Sequence, residues 1–300
     1  MSFNVVGLPP LPPGGANARQ SELARLVESL HVELTSERLD LPSFPDVATR
    51  VRRALTNEQV DVDLVVRIVS AEPALAARLL QLANSAALNP GRKRIMDLRN
   101  AVSRIGFNMA RSATIAFAMS QLRRAEAYKD VGEELAELWR QSTHAAAVCH
   151  VVARRFTQIN PDTALLAGLL QGVGKLYLLT RVVRFRSVLA DPGTYQKLVS
   201  EWHGRLAQAI LRNWELSEDI VAAVAAGENA QREHSGATDL GDVLSVGAVL
   251  AQLGPDPRAE EMLFLDTLAA RRMKLDADAC MTALAESQDA IASLRQALGA

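Results

Sequence analysis

The chain has 300 residues, a formal net charge of −1, 49% apolar residues and only 4% aromatic residues. The balanced charge excludes the strong basic field that draws a protein non-specifically onto nucleic acid or an anionic membrane surface. A core that must be built from Ala, Leu and Val indicates a globular protein of close-packed helices.

The two cysteines, Cys149 and Cys280, are too few and too far apart in sequence for a disulfide framework, and this usage is typical of a reducing cytosol. No apolar run approaches the roughly 20 residues that span a bilayer. The N-terminus shows no basic region followed by an apolar one, so it does not resemble a secretory signal. We therefore expect a soluble cytoplasmic protein with no membrane partner.

The first 125 residues divide into a tail, a single helix and a helical lobe. Residues 1–17 are rich in Pro and Gly and predict a disordered tail, with a proline-motif ligand for a partner as the alternative. The segment 18–40 carries apolar residues at helical spacing and predicts an amphipathic helix. The lobe, 41–125, is predicted to contain helices at 44–57, 60–70, 73–84, 97–105 and 107–122.

Residues 126–257 form a second predicted lobe. It starts with a long helix at about 130–157, after which Asn160 caps an apolar helix that runs into a turn at 172–175. A helical extension follows at 258–300. No stretch alternates as a strand would, so the predicted fold is all-α in two lobes that meet near 123–130. Further helices of the second lobe fit 194–213, 217–226 and 239–253.

The first lobe carries a family resemblance in four segments, 41–45, 68–75, 79–86 and 101–106. These segments are similar to the N-terminal half of the HDOD domain, a bacterial signalling relative of the HD metal phosphohydrolase superfamily. Glu72 departs from the Asp that is usual before the proline. The residues that carry the family motifs are Pro73, Asn84, Ser85 and Gly106.

The second lobe resembles the HD-like half of the same domain through Trp139, His144, 164–179 and 201–224. Together the two halves cover residues 41–253. The resemblance implies an all-helical HDOD/HD-like fold, a regulatory role and no enzyme activity.

Residues 164–179 resemble the central motif of HD-type metal phosphohydrolases, Gly-Leu-Leu-His-Asp-Ile-Gly-Lys, in which the adjacent His and Asp bind a catalytic metal. Gln171 and Gly172 occupy those two positions here. Glycine has no side chain, and a neutral amide is a weak ligand beside imidazole or carboxylate. The resemblance therefore implies a vestigial pocket without a catalytic metal or other cofactor. Its residues are His144, Gln171, Gly172, Lys175, His203 and Glu228.

Within that pocket, His144 matches the family's first histidine and His203 a later one. Glu228 could supply a substitute ligand, and this alternative stays open. The segment 172–175 is not a phosphate-binding loop, because Leu176 follows the lysine and Leu169 stands where the first glycine is required.

Several further residues allow a structural or a functional interpretation. Asn84 and Ser85 either end a helix by bonding nearby backbone, which we favour, or form part of a site. The basic cluster Arg92, Lys93 and Arg94 is either a solvated loop or a contact for an acidic partner or a phosphodiester. A second basic run, 181–186, either continues a helix or binds an anion. His31 and His234 are predicted to be surface residues, and Cys149 a small buried apolar side chain.

These observations lead to three hypotheses about function. The first is a non-enzymatic HDOD regulatory module of bacterial signal transduction that binds another protein, with Arg92, Lys93 and Arg94 as the candidate contact. The second is a residual metal-dependent phosphohydrolase or phosphodiesterase that acts on a nucleotide. The third is a nucleic-acid-binding regulator that uses the two basic patches, which the near-neutral net charge disfavours.

Overall fold

The computed structural model describes residues 15–36, 39, 50–51, 54, 61–90, 93–123, 125–227, 229, 232–252 and 267–299. Within these ranges the chain forms α-helices and one 3-10 helix, Glu126–Val131, and no strand, which confirms the all-α prediction. The α-helices are α1 Gly15–Thr35, α2 Val62–Ser70, α3 Pro73–Ala83, α4 Leu98–Arg123, α5 Gly132–Phe156, α6 Pro161–Leu170, α7 Val173–Val182, α8 Arg186–Leu189, α9 Pro192–Asn213, α10 Glu218–Gly227, α11 Leu240–Gln252, α12 Leu268–Arg272, α13 Ala277–Glu286 and α14 Gln288–Ala297.

The N-terminal helix begins earlier than the sequence predicts. Helix α1 starts at Gly15, so the last three residues of the predicted tail are helical, since 15–17 contains no proline to prevent it. Residues 1–14 and 41–45 lie outside the described residues. Of the predicted helix at 44–57, only positions 50, 51 and 54 are described, and all three are helical.

Local sequence signals set several helix boundaries where they were predicted. Pro73 occupies the first turn of α3, where its missing N–H costs nothing. The Asn160 side chain caps α6, since its Oδ1 accepts hydrogen bonds from the backbone N–H groups of Asp162 at 2.9 Å and Thr163 at 3.0 Å. Gly106 divides α4 with φ +74° and ψ 172°, a conformation that glycine adopts far more readily than other residues.

The centre of the molecule is the packing of α5 against α6 and α11. Cys149 of α5 is fully buried and faces a glycine on each neighbour, Gly168 of α6 and Gly247 of α11. A Cβ atom at Gly168 would lie 2.9 Å from the Cα of Ala146, and a Cβ at Gly247 would overlap Cys149 Sγ. The three helix backbones therefore approach one another more closely than larger side chains would permit.

The two lobes and the C-terminal extension form one packed body. Helix α4 of the first lobe packs on α6, and the Asn108 amide donates to the Thr163 hydroxyl at 3.2 Å across that contact. Arg154 of α5 reaches back to the carbonyl oxygen of Ala87 at 3.3 Å. Helix α14 packs against both α3 and α5, and its Leu294 is fully buried. The extension therefore contacts both lobes.

The stretch Pro161–Val182 meets the length and composition of a membrane span, contrary to the expectation that no apolar run approaches that length. It does so because α6 and α7 follow one another almost directly in the chain. In the fold, 83% of its apolar window is buried against other helices. A mostly buried core helix of a globular protein can meet the same two criteria of length and composition.

Both cysteine thiols are predicted to be unreactive in the folded protein. Burial raises the pKa of the Cys149 thiol from 9.0 to about 12, and burial with the nearby Asp276 carboxylate raises that of Cys280 to about 11. At pH 8 we expect alkylation by iodoacetamide to be slower than in urea-unfolded chain by about two orders of magnitude or more. Equal rates, followed by mass spectrometry, would contradict this packing.

The same raised pKa values fix the sign of a stability effect. Above pH 9 the thiols ionise in the unfolded chain while they stay protonated in the fold, so the unfolded state is favoured as the pH rises from 9 towards 12. We expect a Cys149→Ala variant to lose part of this alkaline destabilisation, measured as the free energy of unfolding in urea at several pH values.

Candidate functional site

The segment that resembles the HD motif, 164–179, forms two buried helices that are joined by a turn of two residues, Gln171 and Gly172. Helix α6 ends at Leu170, and α7 begins at Val173. Both helical hydrogen-bond ladders run on into the turn, because the N–H of Gln171 donates to Ala167 and the N–H of Leu176 donates to the carbonyl of Gly172. The prediction of a turn at 172–175 is therefore wrong in its extent, since 173–175 form the first turn of α7.

Side chains of neighbouring elements lie directly against this turn. A Cβ atom at Gly172 would overlap the hydroxyl oxygen of Ser142 on α5, which is held in place by donating to the Leu138 carbonyl at 2.8 Å. On the other side, a Cβ at Gly227 would lie 2.7 Å from Gln171 Nε2. A larger residue in place of either glycine would have to displace a neighbouring helix or side chain.

The Gln171 side chain is buried between α6 and α10. Its Nε2 lies beside Gly227 and has no hydrogen-bond partner among the residues that the structure describes. An amide can offer one neutral carbonyl oxygen to a cation, which is a poor substitute for an imidazole next to a carboxylate. This donor set, in which Gln171 offers a neutral amide and Gly172 offers no side chain, does not fit a catalytic metal ion.

His203 and Lys175 lie at the next helix crossing. The backbone carbonyl of His203 on α9 occupies the position that a Cβ of Gly174 would need, so α7 and α9 are in direct backbone contact there. His203 is buried and Lys175 is half-buried. These two residues thus lie near the turn, whereas Glu228 lies outside the described residues.

His144 does not face the turn. It follows Ser142 by two residues, which rotates it by about 200° around α5 away from α6. Burial and then the positive charge of Arg295 on α14 lower the pKa of His144. Its Nδ1 is buried without a hydrogen-bond partner in the part of the chain that is described. The predicted grouping of His144 with Gln171 is therefore not what the fold forms, and Ser142 takes that place.

His150 is also separate from His144, because a spacing of six residues places the two on different faces of α5. It is buried on α5, and its Nε2 lies 3.6 Å from an oxygen of Asp162. The two imidazoles have different neighbours and do not form a chelating pair.

A cluster that the sequence analysis did not single out surrounds Asp242, whose side chain is only 1% exposed at the start of α11. Its Oδ1 accepts from Arg272 at 2.6 Å and from Arg232 at 3.3 Å, and His234 Nε2 lies 3.2 Å from both carboxylate oxygens. His234 was predicted to be a surface residue. It is instead half-buried, because Asp242 draws its ring inwards.

Asp239 completes the cluster, and arginine already neutralises its carboxylate. Burial would raise the pKa of Asp239, but hydrogen bonds from Arg232 and from the N–H of Asp242 outweigh it and lower that pKa. The ligand atoms of His234, Asp239 and Asp242 lie within 4.8 Å of one another, close enough for a cation. Two guanidinium groups hold these carboxylates, so the cluster is an internal salt bridge that ties α11 to α12.

Asn84 and Ser85 lie at the end of α3, where Asn84 holds the following loop. Its Nδ2 donates to the carbonyls of Leu80 and Ile95, each at 2.8 Å, and its Oδ1 accepts from the N–H of Ile95 at 2.8 Å. Asn84 thus bonds nearby backbone at the helix end, as the sequence favoured, and also joins the helix end to Ile95, whereas the Ser85 hydroxyl has no hydrogen-bond partner among the described residues. Lys93 and Arg94 are exposed on this loop, and Arg92 lies outside the described residues.

Residues 41–230 match the HDOD domain. A curated relative, an uncharacterized protein of Treponema pallidum (strain Nichols), is 22% identical over 220 residues, which is 69% of this chain and 41% of that protein. The chain thus spans less than half the length of this relative.

Three solved structures share the fold over most of this chain. One from Shewanella amazonensis SB2B, provisionally named a metal-dependent phosphohydrolase, has a TM-score of 0.69 at 23% identity and covers 93% of this chain and 99% of that one. An HDOD domain protein of unknown function from Geobacter sulfurreducens has a TM-score of 0.63 at 18% identity, with 93% and 97% covered. A protein of Marinobacter aquaeolei VT8, provisionally named for signal transduction, has a TM-score of 0.57 at 18% identity, with 93% and 67% covered.

The contact between Gly172 and Ser142 can be tested by a double-mutant cycle. Gly172 has φ −80° and ψ −3°, which alanine adopts without strain, so Gly172→Ala should destabilise only through overlap with the Ser142 hydroxyl, by about 1–3 kcal/mol. In a Ser142→Ala background the two Cβ atoms would be 3.7 Å apart, an ordinary contact, and the same change should cost almost nothing. The free energy of unfolding in urea measures both, and purely additive effects would contradict the geometry.

Proposed function

The chain belongs to the HDOD domain family, and on this premise we propose that it is a cytoplasmic regulatory module that acts in bacterial signal transduction by binding another protein, not by catalysis. The family match and the provisional name of the Marinobacter structure both fit a regulatory role. The step from regulation to protein binding without catalysis is the proposal.

The observation that supports the proposal most is the packing of the turn at Gln171 and Gly172. Hydrolysis by an HD-type enzyme depends on a metal that lowers the pKa of a bound water, and the metal depends on imidazole and carboxylate ligands at this turn. Here the position of the carboxylate is a glycine packed on Ser142. The buried Gln171 and the half-buried Gly172 therefore serve helix packing.

The proposed binding surface is the loop that follows α3. Asn84 fixes this loop by backbone hydrogen bonds, and Lys93 and Arg94 are exposed on it. Exposed charges held on a fixed loop favour encounter with an acidic partner and suppress encounter with a basic one. We expect the partner to present an acidic surface there.

The second basic run is less available for an external anion. Arg181 is in α7 and pairs with Glu33 of α1, which also accepts from the Tyr177 hydroxyl. Arg186 lies 3.6 Å from Asp130. Because internal acids already partner two of its cations, this run favours a structural role over the nucleic-acid hypothesis.

Metal content and hydrolysis distinguish the proposal from a residual phosphohydrolase. We expect purified full-length chain to contain no stoichiometric Mn, Fe or Zn and to leave bis(p-nitrophenyl) phosphate intact when Mn²⁺ is added.

In a host that lacks the native gene, a folded His144→Gln/His203→Gln variant should restore function, and a folded Lys93→Glu/Arg94→Glu variant should not. A dead histidine variant beside an active charge-reversed one would overturn the proposal, because ligand loss collapses metal affinity.

A further inference from the structure

A cavity of about 620 Å³ lies between α3, the loop 84–96 and α14, away from the turn at 171–172. Its volume is in the range of sites that hold a small ligand or a few residues of a peptide. Its lining contains no acidic residue in the part of the chain that is described, and Arg94 gives it a positive charge. The cavity therefore favours a ligand with negative charge.

Ser85, which follows the end of α3, is one of the residues that line this cavity. The residue is 5% exposed, and its hydroxyl has no hydrogen-bond partner among the described side chains and backbone. The neighbouring Asn84 uses its amide on Leu80 and Ile95, so its side chain forms part of the cavity wall. A buried hydroxyl without a partner is costly, so a ligand that meets it gains affinity.

The rim of the cavity combines an apolar and a cationic side chain. Met96 is 74% exposed, one of the large apolar side chains that the fold leaves in solvent, and it lies beside Arg94. A flexible thioether adapts to varied apolar side chains, and a guanidinium binds a carboxylate through two parallel hydrogen bonds. This pairing suits a segment with an acidic residue close to an apolar one.

The rest of the lining distinguishes a peptide from a nucleotide. Among the described residues, the cavity lining includes no aromatic side chain on which a base could stack. Arg94 is the one cation in that described lining. The amides of Gln81 and Gln296 line it, and an amide can pair with a peptide group as donor and acceptor. These features favour a peptide over a phosphorylated ligand.

We propose that this cavity binds a segment of the partner protein in which an acidic side chain lies next to an apolar one. The acid binds Arg94, the apolar side chain packs on Met96 and Leu80, and an acceptor of the segment meets the Ser85 hydroxyl. The inference rests on the proposed protein-binding function. It adds that α14, through Ser293 and Gln296, forms part of the site, although α14 lies outside the region 41–230 that matches the HDOD domain.

The test starts from phage-displayed random linear peptides selected on the immobilised full-length chain. The consensus peptide is labelled, and its Kd is measured by fluorescence polarisation. Arg94→Glu removes the cation of the cavity, and Ser85→Ala removes the hydroxyl. Ala77→Trp fills the cavity from an exposed position on α3. Matched controls are Arg186→Glu, an exposed arginine on α8, and Ala222→Trp, an exposed alanine on α10.

We expect the consensus to place Asp or Glu near Leu, Met or Phe. The Kd should rise by about tenfold or more in Arg94→Glu and Ala77→Trp and stay within about twofold in both controls. Ser85→Ala should weaken binding by a smaller factor. Each variant is first shown to keep the melting temperature of the wild type.

The outcomes separate this inference from the function on which it rests. If peptides bind but ignore Arg94→Glu and Ala77→Trp, or if none is selected, the cavity is not the site, while protein binding elsewhere still stands. If nucleotides, tested as a panel by thermal shift, stabilise the wild type but not Ala77→Trp, the cavity takes a phosphorylated ligand and the inference is overturned. Stoichiometric metal together with phosphodiesterase activity would instead overturn the proposed function.

Discussion

The close approach of helix backbones around α5 and α6 is the constraint on which the rest of this fold depends. Cys149 fits between Gly168 and Gly247, Gly172 packs on the Ser142 hydroxyl, and Gly174 lies against the backbone of α9. At each crossing the space that a side chain would need is already occupied. Close packing of this kind stabilises through many small dispersion contacts, and it tolerates neither added volume nor removed volume. A polar metal site at the same place would need ligands and space that this packing does not provide.

The same packing explains how a structure of this type can serve regulation. The lobes meet through α4, α5 and α6, and the last helix contacts both lobes, so α3 and the loop that follows it start from one packed body. The loop after α3 is fixed further by Asn84, so Lys93 and Arg94 are presented in one place. A rigid surface binds with less loss of conformational entropy than a mobile one. The buried carboxylate of Asp242 adds a second tie, because it accepts a hydrogen bond from Arg272 on α12.

Sequence predicts this fold well wherever the determinant is local. The cap at Asn160, the first-turn proline at 73 and the break at Gly106 are properties of a few adjacent residues, and all three lie where they were predicted. The site is harder to predict from the sequence, because it depends on which face of a helix each residue occupies. His144 matches a family motif, yet it turns towards Arg295 while Ser142 faces the turn. The cavity could not be predicted, because it joins α3 to a helix about 200 residues later in the chain through tertiary contacts alone.

The claim that the turn at Gln171 and Gly172 is packed and binds no metal is tested most directly by restoring the His-Asp pair. This change supplies the two ligands and alters none of the residues that surround the turn. The Gln171→His/Gly172→Asp variant regains the His-Asp pair of the HD motif in this chain. Metal content is measured by elemental analysis of the folded variant after incubation with Mn²⁺, together with its melting temperature. The packing of the turn predicts a lower melting temperature than that of the wild type and no stoichiometric metal, because the Asp side chain would overlap the Ser142 hydroxyl and His144 lies on another face of α5. A variant as stable as the wild type that binds about one metal ion per chain would contradict this account.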